Sequence, residues 1–352
     1  MASEQPPRQA RDGTRRRPTI RDIAAQAGVS KGLVSLILNG NPGPSAETTA
    51  RVLALADQLG YRTNRTASLL ARRRSRMLGV AVVPSNPFHA ELAEEIQRVA
   101  DQRGYDLALG AVTPSHDERQ AIETLLDFRC EALFLLGSVL PAEELAELTA
   151  GVPVVSVGRP IDLPGFDVVR TADQDGLALL VDHLFDLGHR RIVHVDGGDG
   201  FVSAERRHAY TAAMRRHRLR PVILPGGETE RDGIRATEAL DPSTGVTAIV
   251  AYNDRCAVGV LEQLDRAGIA VPERVSVTGY DNSLLAQLRR MDLTTVSQSP
   301  QEQAQLAVAA AIERLDGDRT RNQEIVLKPQ LVVRGSSAAA PQSPTVDRPA
   351  PR

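Results

Sequence analysis

From Met77 onward the chain alternates short apolar runs with amphipathic stretches, and few folds accommodate that alternation. The runs MLGVAVV, YDLALGAV, ALFLLGS, PVVSVGR, RIVHVDGG, TAIVAYN and RVSVTGYD are apolar along their length, as strands buried on both faces are. Between such runs, ELAEEIQRVADQRG, DGLALLVDHLFDLG and AVGVLEQLDRAG place apolar residues at helical spacing. The alternation predicts parallel sheets covered by helices on both faces. Over residues 77–335 it predicts two doubly wound subdomains. The first is expected at about 77–172 with 299–317, the second at about 173–298 with 318–335, the chain crossing near 172, 298 and 318. Residues 336–352, rich in Ala, Ser and Pro, are expected to be a disordered tail.

The first 76 residues follow a different pattern. Residues 1–17 are polar and rich in Arg and Pro, and are expected to be a disordered basic tail. In TIRDIAAQAGVSKGLVSLILNG, Thr19 is placed to cap a helix carrying Ile20, Ile23, Ala24 and Ala27, which Gly28 ends. Ser30 can cap a second helix that buries Leu33, Val34, Ile37 and Leu38 and stops at Asn39-Gly40. After Pro42-Gly43-Pro44, Ser45 starts a third, through Val52, Leu55, Ala56 and Leu59. Helix, tight turn, helix and supporting helix over 18–62 is the helix-turn-helix order, whose second helix enters the major groove. Residues 63–76, with Asn64 as a cap and an arginine run at 72–74, read as a short hinge helix and linker.

Charge supports a polyanion partner for this part alone. Residues 1–76 hold 14 Lys/Arg and 5 Asp/Glu, whereas the remainder holds 28 and 39, an asymmetry hidden in a net charge of -2. Lysine is rare: Lys31, at the start of the second helix, and Lys328 are the only two.

Other function classes find little support. Cys130 and Cys256 lack ligand or redox spacing and read as reduced core thiols. No apolar run reaches membrane-spanning length, and the N-terminus lacks the apolar segment of a signal peptide, so a cytoplasmic protein with no membrane partner is expected. His183, His189 and His194 straddle a helix, a turn and a strand, and read as surface or satisfied histidines instead of a metal set. GGDG at 197–200 reads as a strand-to-helix turn. No G-x-S-x-G, H-E-x-x-H or Walker motif is present, and no enzyme, metal or cofactor is expected.

The stretch TIRDIAAQAGVSKGLVSLILNG, with SAETTARVLALADQLGYRTN, SNPFHAELAEEI, HLFDLGHRRIVHV, GYDNS and LTTVSQ, resembles the lactose/galactose repressor family of bacterial transcription regulators. The resemblance covers roughly residues 18 to 335. It implies an all-α DNA-binding head, a hinge helix, and an α/β sensor core of periplasmic-binding-protein type that dimerises on a palindromic operator. By position in that family, Lys31, Gly32 and Leu36 face base edges, and Thr19, Ser30, Ser35, Asn39, Thr48 and Tyr61 are placed to hold phosphates. Asn64, Arg65, Ala67, Leu70 and Ala71 match the minor-groove hinge, Leu70 as its wedge. Phe88, His89, Ser138, Ser203, Arg207, Asn253, Asp281 and Gln298 match the effector cleft.

The implied effector is small and polar, a sugar or sugar derivative, with a nucleobase or other polar metabolite open. Gly158 stands where some sugar-binding members carry an aspartate and Pro300 where some carry an aromatic residue; aromatics are 3% of the chain, with no Trp. A solute-binding protein or sugar-handling enzyme on the same core is the alternative, and a basic head argues against it. No heptad repeat follows residue 335, so the implied assembly is a homodimer.

Overall fold

The Asp22 carboxylate accepts hydrogen bonds from the backbone nitrogen and the hydroxyl of Thr19, at 2.6 and 2.7 Å. This closes the N-terminus of helix α1 (Ile20–Ala27). Gly28 then turns left-handed, φ 65°, and ends the helix without a Cβ penalty. Ser30 Oγ accepts from Leu33 N at 3.2 Å and opens α2 (Lys31–Leu38). Ser45 caps α3 (Ala46–Gln58) by accepting from Thr48 N. Ile23, Ala24, Ala27, Val34, Ile37, Val52 and Ala56 form the buried cluster that the three helices share.

This computed structural model describes residues 18–38, 42–61, 74–240, 244–317 and 319–341. The chain divides into a unit of residues 1–74 and one of residues 75–352. The break falls inside the stretch read as a linker. Ser75 and Arg76 already belong to the second unit: Ser75 Oγ donates to Arg129 O at 2.6 Å and Arg76 N to Glu131 at 2.8 Å.

The second unit starts with β1 (Met77–Val82), α4 (Pro87–Gln102), β2 (Asp106–Ala111), α5 (Glu118–Asp127), β3 (Ala132–Leu136), α6 (Ala142–Leu148), β4 (Val154–Val157) and β5 (Phe166–Thr171). It passes through α7 (Asp173–Asp186) to β6 (Ile192–Val195), α8 (Phe201–Arg216), β7 (Ile223–Leu224), α9 (Glu230–Glu238), β8 (Ala248–Ala251), α10 (Asp254–Arg266), β9 (Ser276–Thr278), α11 (Leu284–Gln287) and β10 (Thr295–Ser297). Finally α12 (Pro300–Asp316), β11 (Glu324–Leu327) and β12 (Gln330–Val332) follow.

Among the described residues, two parallel sheets result, ordered β11-β5-β4-β3-β1-β2 and β7-β6-β8-β9. Their central strands, β1, β3, β4, β6 and β8, are buried on both faces because separate apolar clusters cover each face, whereas the edge strands β2, β7 and β11 keep exposed positions. In the first lobe Leu92, Ile96 and Val308 cover one face, and Ile122, Leu125 and Leu145 the other. In the second lobe Val260 and Leu264 lie on one face, Leu180 and Tyr210 on the other. Three connections join the lobes, at the end of β5, after β10 and between β11 and β12, and the antiparallel pair β10-β12 runs beside them.

Two boundaries differ from expectation. Strand β11 pairs with β5, Glu324 opposite Val168 through Leu327 opposite Thr171. Residues 324–327 therefore belong to the first lobe, and the third crossing lies at 328–329, not near 318. The buried Asp167 carboxylate fixes this placement, because it takes Arg314, Arg319 and the Gln323 nitrogen together. The C-terminal stretch also holds structure past residue 335. Ser336 is buried; its Oγ donates to Val277 O at 2.6 Å and accepts from Thr294 N at 2.8 Å. Ala338 N donates to Ser276 Oγ and Ala340 N to Leu187 O, so residues 336–340 satisfy the outer edge of β9 and are not a free tail.

Candidate functional site

In the head, α2 divides into two faces. Val34 and Ile37 are buried, while Lys31, Gly32 and Leu36 are exposed and Ser35 lies between. Positions 31 and 35, and 32 and 36, are one turn apart, so the four share one side. Leu36 is 36% exposed and outside the head's buried cluster, which places it on the surface. Gly32 is not required by the head itself. A Cβ there would meet Ser30 Oγ at 3.8 Å, an ordinary contact. Thr19 and Ser30 serve as helix caps, Thr48 meets Ser45 Oγ at 2.9 Å, and Tyr61 is half-buried against the head core. Asn39, Asn64, Arg65, Ala67, Leu70 and Ala71 lie outside the described residues.

In the core, a cavity of about 130 Å³ opens between the lobes at the carboxyl ends of the strands. Six of the eight residues expected at the cleft line it: Phe88, His89, Ser138, Asn253, Asp281 and Gln298. Asn86 caps α4 by accepting from Phe88 N and His89 N, and so fixes the first two. Asn253 caps α10 by accepting from Cys256 N at 2.7 Å. Asp281 sits at φ 112° and accepts from Gln298 Nε2 at 2.7 Å, joining the strand-end loop to the crossing after β10. A larger groove of about 590 Å³ on the flank of the second lobe, by Glu262 and Asp265, lies outside the cleft.

Arg207 and Ser203 do not line the cavity. Arg207 is half-exposed and pairs with Asp196, whereas Ser203 is fully buried beside Tyr252. The arginine that faces the cavity is Arg206. It donates to Asp173 Oδ1 and Tyr252 O, each at 2.9 Å, lies 3.8 Å from Asp281, and stacks over Tyr280. Helical period explains the one-residue correction: Arg206 shares the buried stripe of α8 with Ser203, Ala209, Tyr210 and Ala213, and Arg207 falls off it.

Residues 19–64 match the family description "Bacterial regulatory proteins, lacI family", and residues 181–337 match "Periplasmic binding protein-like domain". The HTH-type transcriptional regulator reg1 of Streptomyces lividans is 33% identical, over 92% of this chain and 97% of that protein. The ribose operon repressor of Escherichia coli is 32% identical, over 91% and 99%. This chain belongs to the LacI family. Among solved structures, the Lac repressor dimer bound to operator and the anti-inducer ONPF superimposes with a TM-score of 0.80 at 25% identity, over 92% of this chain and all of that one. As a LacI-family protein it is a DNA-binding transcriptional regulator with a helix-turn-helix head and a periplasmic-binding-protein-like core.

Several cavity residues of this LacI-family core escaped the sequence reading: Asp173, Arg206, Glu228, Tyr252 and Phe201. Asp173 opens α7 straight after the first crossing, and that position was the available signal. Glu228 and Tyr252 come from separate loops and carried none. Burial governs the cavity's protonation. It drives His89 down to about 4, so the imidazole is neutral, and its Nδ1 has no protein partner. Ser138 Oγ likewise lacks a partner. Burial opposes the charge of Arg206, yet Asp173 and its neighbours hold it above the ordinary arginine range. Burial also raises Asp281 despite Arg206. His183 meets Ser337, His189 meets Thr247 and Ala338 O, and His194 meets Val250 O through Nδ1 while its Nε2 has no protein partner. Cys130 and Cys256 are buried thiols raised by burial to about 12. Among the described residues no helix is long and apolar enough to cross a membrane.

Proposed function

We propose that this protein is a ligand-responsive repressor of sugar transport or catabolism genes, acting in the cytoplasm as a homodimer on a palindromic operator, without enzymatic activity or a cofactor. One observation carries the reading. A single chain joins a head whose α2 exposes Lys31, Gly32, Ser35 and Leu36 to a two-lobed core enclosing buried, unpartnered polar groups. One short head reads one half-site, and two-fold symmetry supplies the second. Lys31 donates to guanine acceptors, the small and hydroxyl side chains around it hold phosphates, and Leu70 wedges the minor groove at the centre. Phe88, His89, Ser138, Asn253, Arg206, Asp281 and Gln298 receive a sugar or sugar derivative. Because these residues come from both lobes, the effector favours one lobe arrangement over another, and only that difference in affinity can alter operator binding.

The test begins with selection of duplexes from a random pool on the full-length protein. A palindrome with two equivalent half-sites is expected, released by at least one member of a monosaccharide panel. Leu70→Ala should lower operator affinity and the DNA bend while sparing non-specific binding. Recovery of no palindrome, or operator binding indifferent to every sugar, rejects the reading.

A further inference from the structure

The inter-lobe cavity is lined by more carboxyl groups than cations. Asp173, Glu228 and Asp281 line it, with Arg206 as the one cationic lining residue among those described. That guanidinium is already committed to Asp173 and Tyr252 O at 2.9 Å and lies 3.8 Å from Asp281. Asp281 is further held by the Gln298 amide at 2.7 Å. Glu228 differs. No cation of the described residues lies within ion-pair distance of it, and the nearby Arg255 is taken by both oxygens of Glu230 at 2.8 Å. Glu228 keeps part of its surface open to the cleft; desolvation there raises its carboxyl, against the nearby Arg206 and a hydrogen bond with the Tyr252 side chain.

The facing wall shows that the space is built for a ligand. Ser138 is 4% exposed, lines the cavity, and leaves its hydroxyl without a partner; the His89 Nδ1 is unpartnered too. A buried hydroxyl is not left empty without cost unless something else completes it. The volume, about 130 Å³, lies below the roughly 300–1,000 Å³ of drug-sized pockets, so it fits one small ring and not an oligosaccharide.

We infer that Glu228 is a specificity residue selecting an effector with a protonated amine, an amine-bearing monosaccharide or small amino polyol, whose hydroxyls meet Ser138 and His89. The amine gives Glu228 a cation at contact distance, which Arg206 and Arg255 act on only from farther away, in a partly desolvated cleft where a charge-assisted hydrogen bond is about twice as strong as a neutral one. A phosphate or carboxylate ligand would face the Asp173 and Glu228 carboxyls with Arg206 already committed, and is disfavoured. This rests on the reading of the cavity as the effector site.

The experiment is calorimetric titration of the full-length protein with D-glucosamine, D-galactosamine, their parent sugars, N-acetylglucosamine and glucose 6-phosphate, for wild type and Glu228→Gln. At least one amino sugar should bind about tenfold more tightly than its parent and its N-acetyl form. Glucose 6-phosphate should bind weakest. Glu228→Gln should erase the amine preference, amino and parent sugars then binding within about twofold of each other, and a cooperative urea transition shows that the variant folds. Equal binding of parent and amino sugars, or an undiminished preference in Glu228→Gln, overturns the amine inference and leaves the effector reading standing. No binding by any probe, with operator affinity unmoved by all of them, overturns both.

Discussion

The Arg159 guanidinium lies 4.0 Å from the centre of the Phe201 ring, and the two residues belong to opposite lobes. Arg159 follows β4 and is 2% exposed; Phe201 begins α8 and is 56% exposed. Arg159 also donates to the carbonyls of Ser138 and Leu140, while Glu118 accepts from Val139 N and Leu140 N. The loop bearing Ser138 is thus clamped from below by Glu118 and Arg159, and Arg159 is in turn covered by the other lobe. Lobe position and cavity wall are mechanically linked through one stacked pair. Phe201→Ala should uncover the guanidinium and favour lobe separation by about 0.5–2 kcal/mol. The expected outcome is weaker effector binding with little change in unfolding free energy. Effector affinity in Phe201→Ala equal to wild type would remove this pair from the closure mechanism.

Neighbouring arginines on α8 should behave very differently. Arg206→Ala leaves Asp173 and Asp281 as buried carboxylates without their partner, a loss on the order of 3–5 kcal/mol. Arg207 is half-exposed but its partner Asp196 is buried and keeps only the Gly197 N–H, so breaking this single pair should cost less than the Arg206 loss, on the order of 1–3 kcal/mol. Urea unfolding of the two variants checks the order. Similar destabilisation by both would contradict the assignment of Arg206 as the cavity arginine.

That pair also shows what could be read from the chain alone. The caps Thr19, Ser30 and Ser45 and the apolar periods of α1 to α3 depend on neighbours within a few residues, and they stand where expected. The strand-helix alternation is equally local. Arg206 against Arg207 was decidable from the α8 stripe, because Ala209, Tyr210 and Ala213 mark the buried side. Other features depend on distant partners and left no local trace. β11 joins the first sheet because Asp167, far back in the chain, gathers Arg314, Arg319 and Gln323. Ser336 lies in an Ala/Ser/Pro-rich stretch that reads as free, yet it completes hydrogen bonds of Val277 and Thr294. Glu228 and Tyr252 reach the cavity only once three strands of the second sheet are aligned.

Buried titratable groups predict opposed pH effects. His194 is pushed down to about 4 by burial, below its unfolded value near 6.5. The unfolded chain therefore binds the proton first, and stability is lost as pH falls from about 6.5 toward 4, by about 1.4 kcal/mol per pH unit. Asp254 is pushed up to about 7 by burial, against hydrogen bonds from Thr295 and Ser283. Its folded form takes the proton first, so its contribution grows as pH falls from about 7 and reaches its limit near 4. The two oppose each other in the wild-type curve, and the variants carry the test. Urea midpoints followed between pH 4 and 7.5 should fall less steeply on acidification in His194→Asn and more steeply in Asp254→Asn. Parallel curves for all three proteins would show that neither group titrates as its burial demands.

At the head, Lys31 and Gly32 make separable predictions. Lys31 is the one long donor on the exposed face of α2, beside a glycine that the head does not need for its own packing. If Lys31 reads a guanine in each half-site, Lys31→Ala should cost roughly 1–3 kcal/mol per contact and relax preference at one symmetric pair of positions. If it holds a phosphate, the loss should be similar for every operator variant, and the salt slope should fall by about one per contact. Gly32→Ala should raise head stability by roughly 1 kcal/mol, since alanine favours helix and the added Cβ meets only Ser30 Oγ at 3.8 Å. Operator affinity should fall despite that gain, because the same Cβ would stand where the backbone approaches the duplex. Melting temperature and fluorescence anisotropy on one selected operator measure both quantities. A stabilised Gly32→Ala that binds the operator as wild type does would mean that close approach of the helix is not what the glycine serves, leaving the readout to Lys31, Ser35 and Leu36.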